Sequence, residues 1–171
     1  QTTTLPAGNG YVESRQYDNA GRLNLNKNGK GTTTLSSYTP TRDKSGNPTR
    51  VTKPGSNNVE SFKYDNLDRI TEACYKASCT KNSDPYIRWT YDGVGNRLTE
   101  ARQGQTTLNY SYDALDRLTQ RGTTTNTYDD NGNQTAAGSR SFAWNTAGQL
   151  ASSTQTGSTI SYAYDGHGNR A

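Results

Sequence analysis

The sequence predicts an all-β protein made of side-by-side antiparallel β-hairpins that form an elongated, twisted sheet. Three observations predict this fold class. A core of Tyr-Asp, two variable residues and then Gly or Asp recurs along the chain. Aromatic residues alternate at positions i and i+2 ahead of that core, which is the period of a strand. The composition includes 12 Tyr and 2 Trp, side chains that bury large areas while a polar tip stays in water.

The composition excludes several classes of protein. Only 28% of the 171 residues are hydrophobic, and the mean hydropathy is −1.08. No apolar run approaches the roughly 18 residues of a membrane-spanning helix. A tightly packed α/β enzyme core is not expected, and Thr, Gly, Asn and Ser interrupt every stretch that a long helix would need. The net charge of +4 comes from scattered basic residues, which favours a solvated surface over nucleic-acid binding.

Internal repeats organise residues 1–171 as one repeat domain, so they are interpreted before any other feature. Six copies of the core are clear, and RDKSGNPT (42–49) and WNTAGQL (144–150) are degenerate copies. The eight units start near residues 17, 42, 64, 91, 112, 128, 144 and 164.

The core has the residue types of a tight hairpin turn. An Asp at the first turn position accepts hydrogen bonds from the backbone just ahead of it. Three residues later, Gly supplies the left-handed conformation that closes a three-residue hairpin loop, and Asp also tolerates that conformation. The predicted turn residues are Asp18, Gly21, Asp65, Asp68, Asp92, Gly95, Asp113, Asp116, Asp129, Gly132, Asp165 and Gly168.

Between successive cores, a strand, a second turn and another strand are expected. The aromatic pairs that mark one strand face are Phe62/Tyr64, Trp89/Tyr91, Tyr110/Tyr112, Phe142/Trp144 and Tyr162/Tyr164. The second turns are predicted at Gly29, Gly55, Gly104, Gly122, Gly138 and Gly157.

Short and long cores alternate strictly along the chain. A short core has one residue between the turn and the next apolar position, as in Gly21-Arg22-Leu23, whereas a long core inserts an Asn, as in Gly46-Asn47. One inserted residue would turn the following strand over unless a bulge absorbed it. The structural repeat is therefore expected to be a pair of hairpins.

The two cysteines, Cys74 and Cys79, are interpreted as a short loop disulfide, which favours an oxidising compartment. Two free thiols are the alternative. A zinc site would need two further soft ligands, and His167 is the only histidine in the chain.

The repeated cores resemble the YD-repeat family, which includes bacterial Rhs proteins, the C components of Tc toxins and the teneurins. The resemblance covers residues 11–171. It implies hairpins in a long spiralling sheet, here a partial shell or a fibre. In complete family members the sheet encloses a toxin or a C-terminal segment. The Rhs processing motif with its catalytic aspartates has no match in this chain, and neither do the plug and toxin domains.

Catalysis has little support in the sequence, so no catalytic residue, cofactor or metal is assigned. His167 occupies a variable turn position, which favours a solvated side chain over a general base. The repeated carboxylates are placed identically in every unit, which indicates turn capping. The Asp129–Asn133 stretch lacks the spacing and the final Glu of an EF-hand calcium loop.

Three hypotheses of function follow. The first is a structural scaffold without catalytic activity, as part of a shell or a head-to-tail fibre or as a fragment of a toxin-encapsulating Rhs shell. The second is a carbohydrate-binding or adhesion module that presents aromatic strand faces, and an enzyme is the third. Core packing is the alternative role of those aromatics. The candidate sugar-facing aromatics are Trp89, Tyr91, Tyr110, Tyr112 and Trp144.

The expected partner is a second copy of the chain or its continuation in a longer tandem protein. The last core, at residues 164–171, lacks a return strand, and residues 1–5 have the pattern of that strand. An unpaired strand edge is a template for pairing with another chain. Carbohydrate is a further candidate partner, and neither nucleic acid nor membrane insertion is expected. The expected location is extracellular or at the cell surface, as a secreted protein of bacterial type.

Overall fold

A computed structural model describes residues 2–6, by their backbone only, and residues 10–55 and 58–170. All regular elements in these ranges are strands, which confirms the predicted all-β class. Neighbouring strands in the chain are antiparallel neighbours in the sheet. The strands are β1 (Thr2–Pro6), β2 (Tyr11–Tyr17), β3 (Leu23–Lys30), β4 (Thr33–Arg42), β5 (Pro48–Thr52), β6 (Val59–Tyr64), β7 (Ile70–Cys74), β8 (Tyr86–Tyr91), β9 (Arg97–Arg102), β10 (Leu108–Tyr112), β11 (Leu118–Arg121), β12 (Thr124–Tyr128), β13 (Gln134–Ala137), β14 (Arg140–Trp144), β15 (Leu150–Gln155) and β16 (Ser158–Ser161).

The chain divides into two compact units. The first comprises Gln1–Thr90 with Glu100–Thr106, and the second comprises Tyr91–Thr99 with Thr107–Ala171. Each unit is a succession of hairpins in which core turns alternate with variable turns. In the described residues there is no helix long and apolar enough to cross a bilayer.

Every core turn closes with the same pair of backbone hydrogen bonds. In the first, the Asp18 N–H donates to the carbonyl of Arg22 at 2.9 Å, and the Gly21 N–H donates to the carbonyl of Asp18 at 3.0 Å. The turn at Asp43 closes onto Asn47 in the same way, at 3.0 Å. All these loops therefore have one length.

The expected insertion of an Asn in the long cores is consequently wrong. Asn47 occupies the turn position that Arg22 occupies in a short core, and a bulge follows both turns. The strand pairings show the equivalence, since Tyr17 lies opposite Leu23 and Arg42 lies opposite Pro48, six residues apart in both cases. What alternates along the chain is chemistry at a fixed position, with Arg or Gln in one kind of turn and Asn in the other.

Four of the eight variable turns are two-residue hairpin loops, and one of these four differs from the expectation. Gly31, with φ of 56°, begins the loop that joins β3 to β4, as Gly122 and Gly138 do in later hairpins. Gly29 was expected at this turn, but it lies inside β3 at a bulge. A Cβ on Gly29 would lie 2.8 Å from the carbonyl oxygen of Thr33, so the close approach of the two strands requires glycine there.

Few apolar side chains are buried. Among the described residues only Val59, Ala73, Cys74 and Cys79 form the buried apolar core. Since this core is small, packing of half-buried aromatic rings and hydrogen bonding between neighbouring strands must hold the sheet together.

Candidate functional site

The repeated turns form the most regular set of polar contacts in the protein. In the turns that begin with Asp, Oδ1 accepts backbone N–H groups, while Oδ2 accepts the side chain four residues later. At Asp65, Oδ1 accepts the N–H groups of Leu67 and Arg69 at 2.9 and 3.0 Å, and Oδ2 accepts Nε of Arg69 at 2.7 Å. Both oxygens of this carboxylate are therefore engaged in holding the turn.

These contacts stabilise the charged form of the turn carboxylates. Partial burial acts to raise the pKa of Asp65, but the backbone N–H and the guanidinium of Arg69 outweigh it, so this pKa lies below its ordinary value. The pKa is also lowered at Asp18, Asp92, Asp113, Asp129 and Asp165. These groups are thus anionic capping residues at neutral pH, which matches their expected structural placement.

Successive turns are joined by the side chain of Asn. Nδ2 of Asn47 donates to its own Asp43 at 3.2 Å and to Oδ1 of Asp68, in the next turn, at 2.6 Å. In the second unit, Asn96 donates to Asp116 of the next turn at 2.7 Å. Asp68 and Asp116 both have φ of 59°. An Asp in place of Gly therefore accepts a left-handed conformation and supplies an acceptor to the preceding turn.

In four of the cores, the Tyr that opens the core also joins it to the preceding repeat. Its hydroxyl donates to the backbone carbonyl of the first residue of the preceding return strand. Trp144 makes the equivalent bond with its indole Nε1, to the carbonyl of Gln134 at 2.8 Å. The tyrosine bonds are Tyr64 to Pro48 (2.9 Å), Tyr112 to Arg97 (3.0 Å), Tyr128 to Leu118 (2.9 Å) and Tyr164 to Leu150 (3.0 Å).

Sequence reasoning did not predict either kind of link. The available signal was the use of Tyr, and once Trp, at the first core position, where Phe would pack but could not donate a hydrogen bond. The recurring Asn after the turn Gly was the signal for the link between turns.

The five candidate sugar-facing aromatics are all half-buried. Nε1 of Trp89 donates to the buried Glu100 at 3.2 Å, and Tyr110 lies beneath the guanidinium of Arg97, 5.6 Å from its ring centroid. Tyr112 and Trp144 donate to the backbone as described above, and Tyr91 is the last residue of β8. The structure does not gather these rings into one site, and Trp144 lines a groove with several polar side chains.

The structure places Cys74 and Cys79 in a disulfide, with both residues buried. It lies at the base of the connection between β7 and β8. Asp84 anchors the same connection by accepting Nζ of Lys76 at 2.6 Å and the N–H groups of Thr80 and Lys81 at 2.8 Å each. A disulfide, an ion pair and two backbone hydrogen bonds therefore hold this connection in place.

The described residues contain no group of three or more His, Cys, Asp and Glu side chains that could hold a metal ion. His167 is exposed at a core turn, where its backbone N–H donates to Asp165. In this part of the chain, the polar side chains make repeated contacts that hold turns and neighbouring repeats together.

A family model identifies the repeats. Residues 60–171 match the model of the teneurin YD-shell. The chain belongs to the teneurin YD-shell family. This match covers the cores that begin at Tyr64 and continue through Tyr164, the same region in which both kinds of link recur.

Curated relatives and solved structures are also similar to this chain. The chain is 34% identical over 97 residues to a tRNA3(Ser)-specific nuclease WapA of Bacillus spizizenii and to the tRNA nuclease WapA of Bacillus subtilis. The match covers 53% of this chain but only 4% of either relative. Similar folds are found in the Photorhabdus luminescens Tc holotoxin pore (TM-score 0.75, 19% identity) and in a TcdB2-TccC3-Cdc42 complex (TM-score 0.67, 18% identity). Each match covers 98% of this chain and 10% of the chain in the solved structure. At this level of sequence identity, the likeness shows the fold alone.

Proposed function

We propose that this YD-shell chain is an extracellular structural wall segment with no catalytic activity of its own. The observation that carries the proposal is the aromatic link from one core to the preceding repeat, which recurs at five cores, as from Tyr112 to Arg97. The repeated Asp carboxylates, which an enzyme could use for acid–base chemistry, are instead engaged in holding turns, as at Asp65 and Asp113. The same bonds repeat from unit to unit, so the sheet can be extended without any new kind of contact.

An oxidising location fits the buried Cys74–Cys79 disulfide. The nuclease activity in the names of the Bacillus relatives belongs to proteins of which this chain matches 4%. Incubation of the purified chain with tRNA, with and without divalent metal ions, should leave the tRNA intact. Cleavage that persists after repurification would contradict a purely structural role.

We propose that the wall continues by strand addition at β16, through a second copy or a tandem continuation. The N–H of Tyr162 donates to the carbonyl of Ala151 in β15, so by the alternation of antiparallel strands the N–H groups of Thr159 and Ser161 point away from β15. β16 contains no charged residue and no proline, the residues that usually prevent an edge strand from pairing with another chain.

The test is a head-to-tail fusion of two copies, compared with the single copy. If the wall continues across the junction, hydrogen exchange at Thr159 and Ser161 of the first copy should slow in the fusion. The fusion should also unfold at a higher temperature. Two copies that unfold like the single copy, with unchanged exchange at both amides, would contradict wall extension.

A further inference from the structure

A polar groove of about 500 Å³ lies between two successive core turns in the second unit. It is the place where the repeated contact between turns is interrupted. Its lining consists of Asp129, Asn131, Asn133, Trp144, Asn145, Thr146 and Gly148.

The interruption arises from one residue. At the two other junctions of this kind, the turn Asn donates both to its own Asp and to an Asp of the next turn. Here the next turn has Gly148 in the place of Asp68 and Asp116. Nδ2 of Asn133 donates to Asp129 at 3.0 Å. Nδ2 carries two hydrogens, and this bond uses one of them. The second hydrogen has no protein partner among the described residues.

The aromatic residue of the groove is also exceptional. Trp144 stands where the neighbouring cores have Tyr, and it presents a larger π surface. Its Nε1 donates to the carbonyl of Gln134 at 2.8 Å, which fixes the ring against the sheet. A rigid aromatic ring beside donor and acceptor groups is the usual composition of a small-ligand site.

The groove offers mainly neutral groups to a ligand. Both oxygens of Asp129 are occupied, Oδ1 by the N–H groups of Asn131 and Asn133 and Oδ2 by the Asn133 side chain. Oδ1 of Asn145 accepts two backbone N–H groups, and its Nδ2 donates one hydrogen to Gln149 at 2.9 Å. The neutral groups left for a ligand are therefore the side chains of Asn131 and Thr146 and the second amide hydrogens of Asn133 and Asn145.

We propose that this groove binds one ring of a neutral carbohydrate. The C–H face of a pyranose packs against Trp144, and a sugar hydroxyl accepts the second hydrogen of Asn133 Nδ2. Asn131 and Thr146 bind further hydroxyls at the rim. This activity goes beyond the structural role, because the unpaired hydrogen-bonding groups of the groove are not needed to hold the sheet together.

Gly148→Asp is the informative variant, because it recreates the arrangement of the other junctions. Gly148 has φ of 72°, no atom lies within 4 Å of a Cβ placed there, and Asp116 occupies the equivalent position with φ of 59°. The new carboxylate should accept the free Asn133 hydrogen and close the groove. Gly21→Asp is the matched control, since Gly21 has φ of 74° and equal space at a turn without this groove.

The probe is an array of neutral oligosaccharides, followed by titration of the strongest sugar with indole ¹⁵N NMR. The chain has 2 Trp residues, so binding should shift the Trp144 signal and leave that of Trp89 in place. Gly148→Asp should weaken binding about tenfold or more, because the sugar loses a hydrogen bond and its access to the groove. Gly21→Asp should bind the sugar like the wild type.

Trp144→Tyr, which restores the residue of the neighbouring cores, provides a second variant if Gly148→Asp fails to fold. It should keep the fold and weaken binding. The proposal is overturned if no neutral sugar on the array binds, if both variants bind with undiminished affinity, or if the sugar shifts only the Trp89 signal.

Discussion

The hydroxyl of Tyr112 donates to the backbone carbonyl of Arg97 at 3.0 Å and so links one repeat unit to the unit before it. Burial also raises the pKa of this tyrosine, although the neighbouring Arg97 acts in the opposite direction. The bond fixes the identity of the residue, because Phe could fill the same space without satisfying the carbonyl.

Tyr112→Phe tests this role of the hydroxyl. Loss of the donor leaves a half-buried carbonyl without its partner, so the free energy of unfolding should fall by about 1–2 kcal/mol. Urea denaturation followed by circular dichroism measures the change. Tyr38→Phe is the matched control, because Tyr38 is 45% exposed and should unfold like the wild type. Equal effects of the two substitutions would show that the hydroxyl of Tyr112 contributes nothing.

The Cys74–Cys79 disulfide gives a second prediction. Thiol titration of the unreduced, unfolded protein should detect no reactive sulfhydryl, and two would establish free thiols instead. The double variant Cys74→Ala, Cys79→Ala should lose about 2 kcal/mol of stability, because the cross-link restricts a short loop in the unfolded chain. Denaturant unfolding of the variant, compared with the reduced wild type, separates the cross-link from the loss of side-chain packing.

The hairpins and their turns were predictable because their determinants are local. Asp65 caps a turn with atoms at most four residues away, and the spacing of Tyr and Asp is visible in the sequence. The long and short cores were misinterpreted because the shifted apolar residue, Leu98 after Arg97, looks like an insertion. In the structure Leu98 follows a turn of ordinary length and is 40% exposed.

The links between units were not predictable from local pattern. Asn47 and Asp68 are 21 residues apart, and which turns become neighbours depends on the order of the whole sheet. Gly29 and Gly31 illustrate a smaller limit, since either glycine could start a two-residue loop. Strand pairing decides between them, because the backbone of Thr33 leaves no room for a side chain at Gly29.

Asp84 predicts how acid weakens the β7–β8 connection. The Lys76 ammonium, together with backbone N–H groups of Lys81 and Thr80, lowers the pKa of Asp84 to about 2. A carboxylate whose pKa is depressed in the folded state stabilises the fold above its unfolded pKa, and that contribution disappears as the pH falls. The loss should occur between about pH 4 and pH 2.

Asp84→Asn isolates this contribution. The variant should melt at a lower temperature than the wild type at pH 7, and the two melting curves should converge as the pH approaches 2. The measurement is the melting temperature at several pH values at constant ionic strength. A difference that stays constant down to pH 2 would mean that the charge of Asp84 does not stabilise the loop.

Gly95 tests the backbone requirement of the core turn. It has φ of 107°, and its N–H donates to the carbonyl of Asp92 at 3.3 Å. Gly95→Ala should lower the free energy of unfolding by about 1 kcal/mol or more, because alanine resists positive φ. Gly95→Asn should be milder, since Asn tolerates that region better. Equal losses in the two variants would mean that the conformation of residue 95 is not the limiting factor.

The bond from Asn96 to Asp116 provides the last prediction, which concerns coupling between successive turns. Asn96→Ala and Asp116→Ala each remove it at 2.7 Å, but each also disturbs its own turn. A double-mutant cycle removes those separate effects and should leave a coupling energy of about 0.5–1 kcal/mol. Asp116→Asn keeps an acceptor oxygen and the tolerance of positive φ, so it should retain most of the stability that Asp116→Ala loses. A coupling energy near zero would show that the turns are neighbours without stabilising one another, and that the aromatic links alone join the repeats.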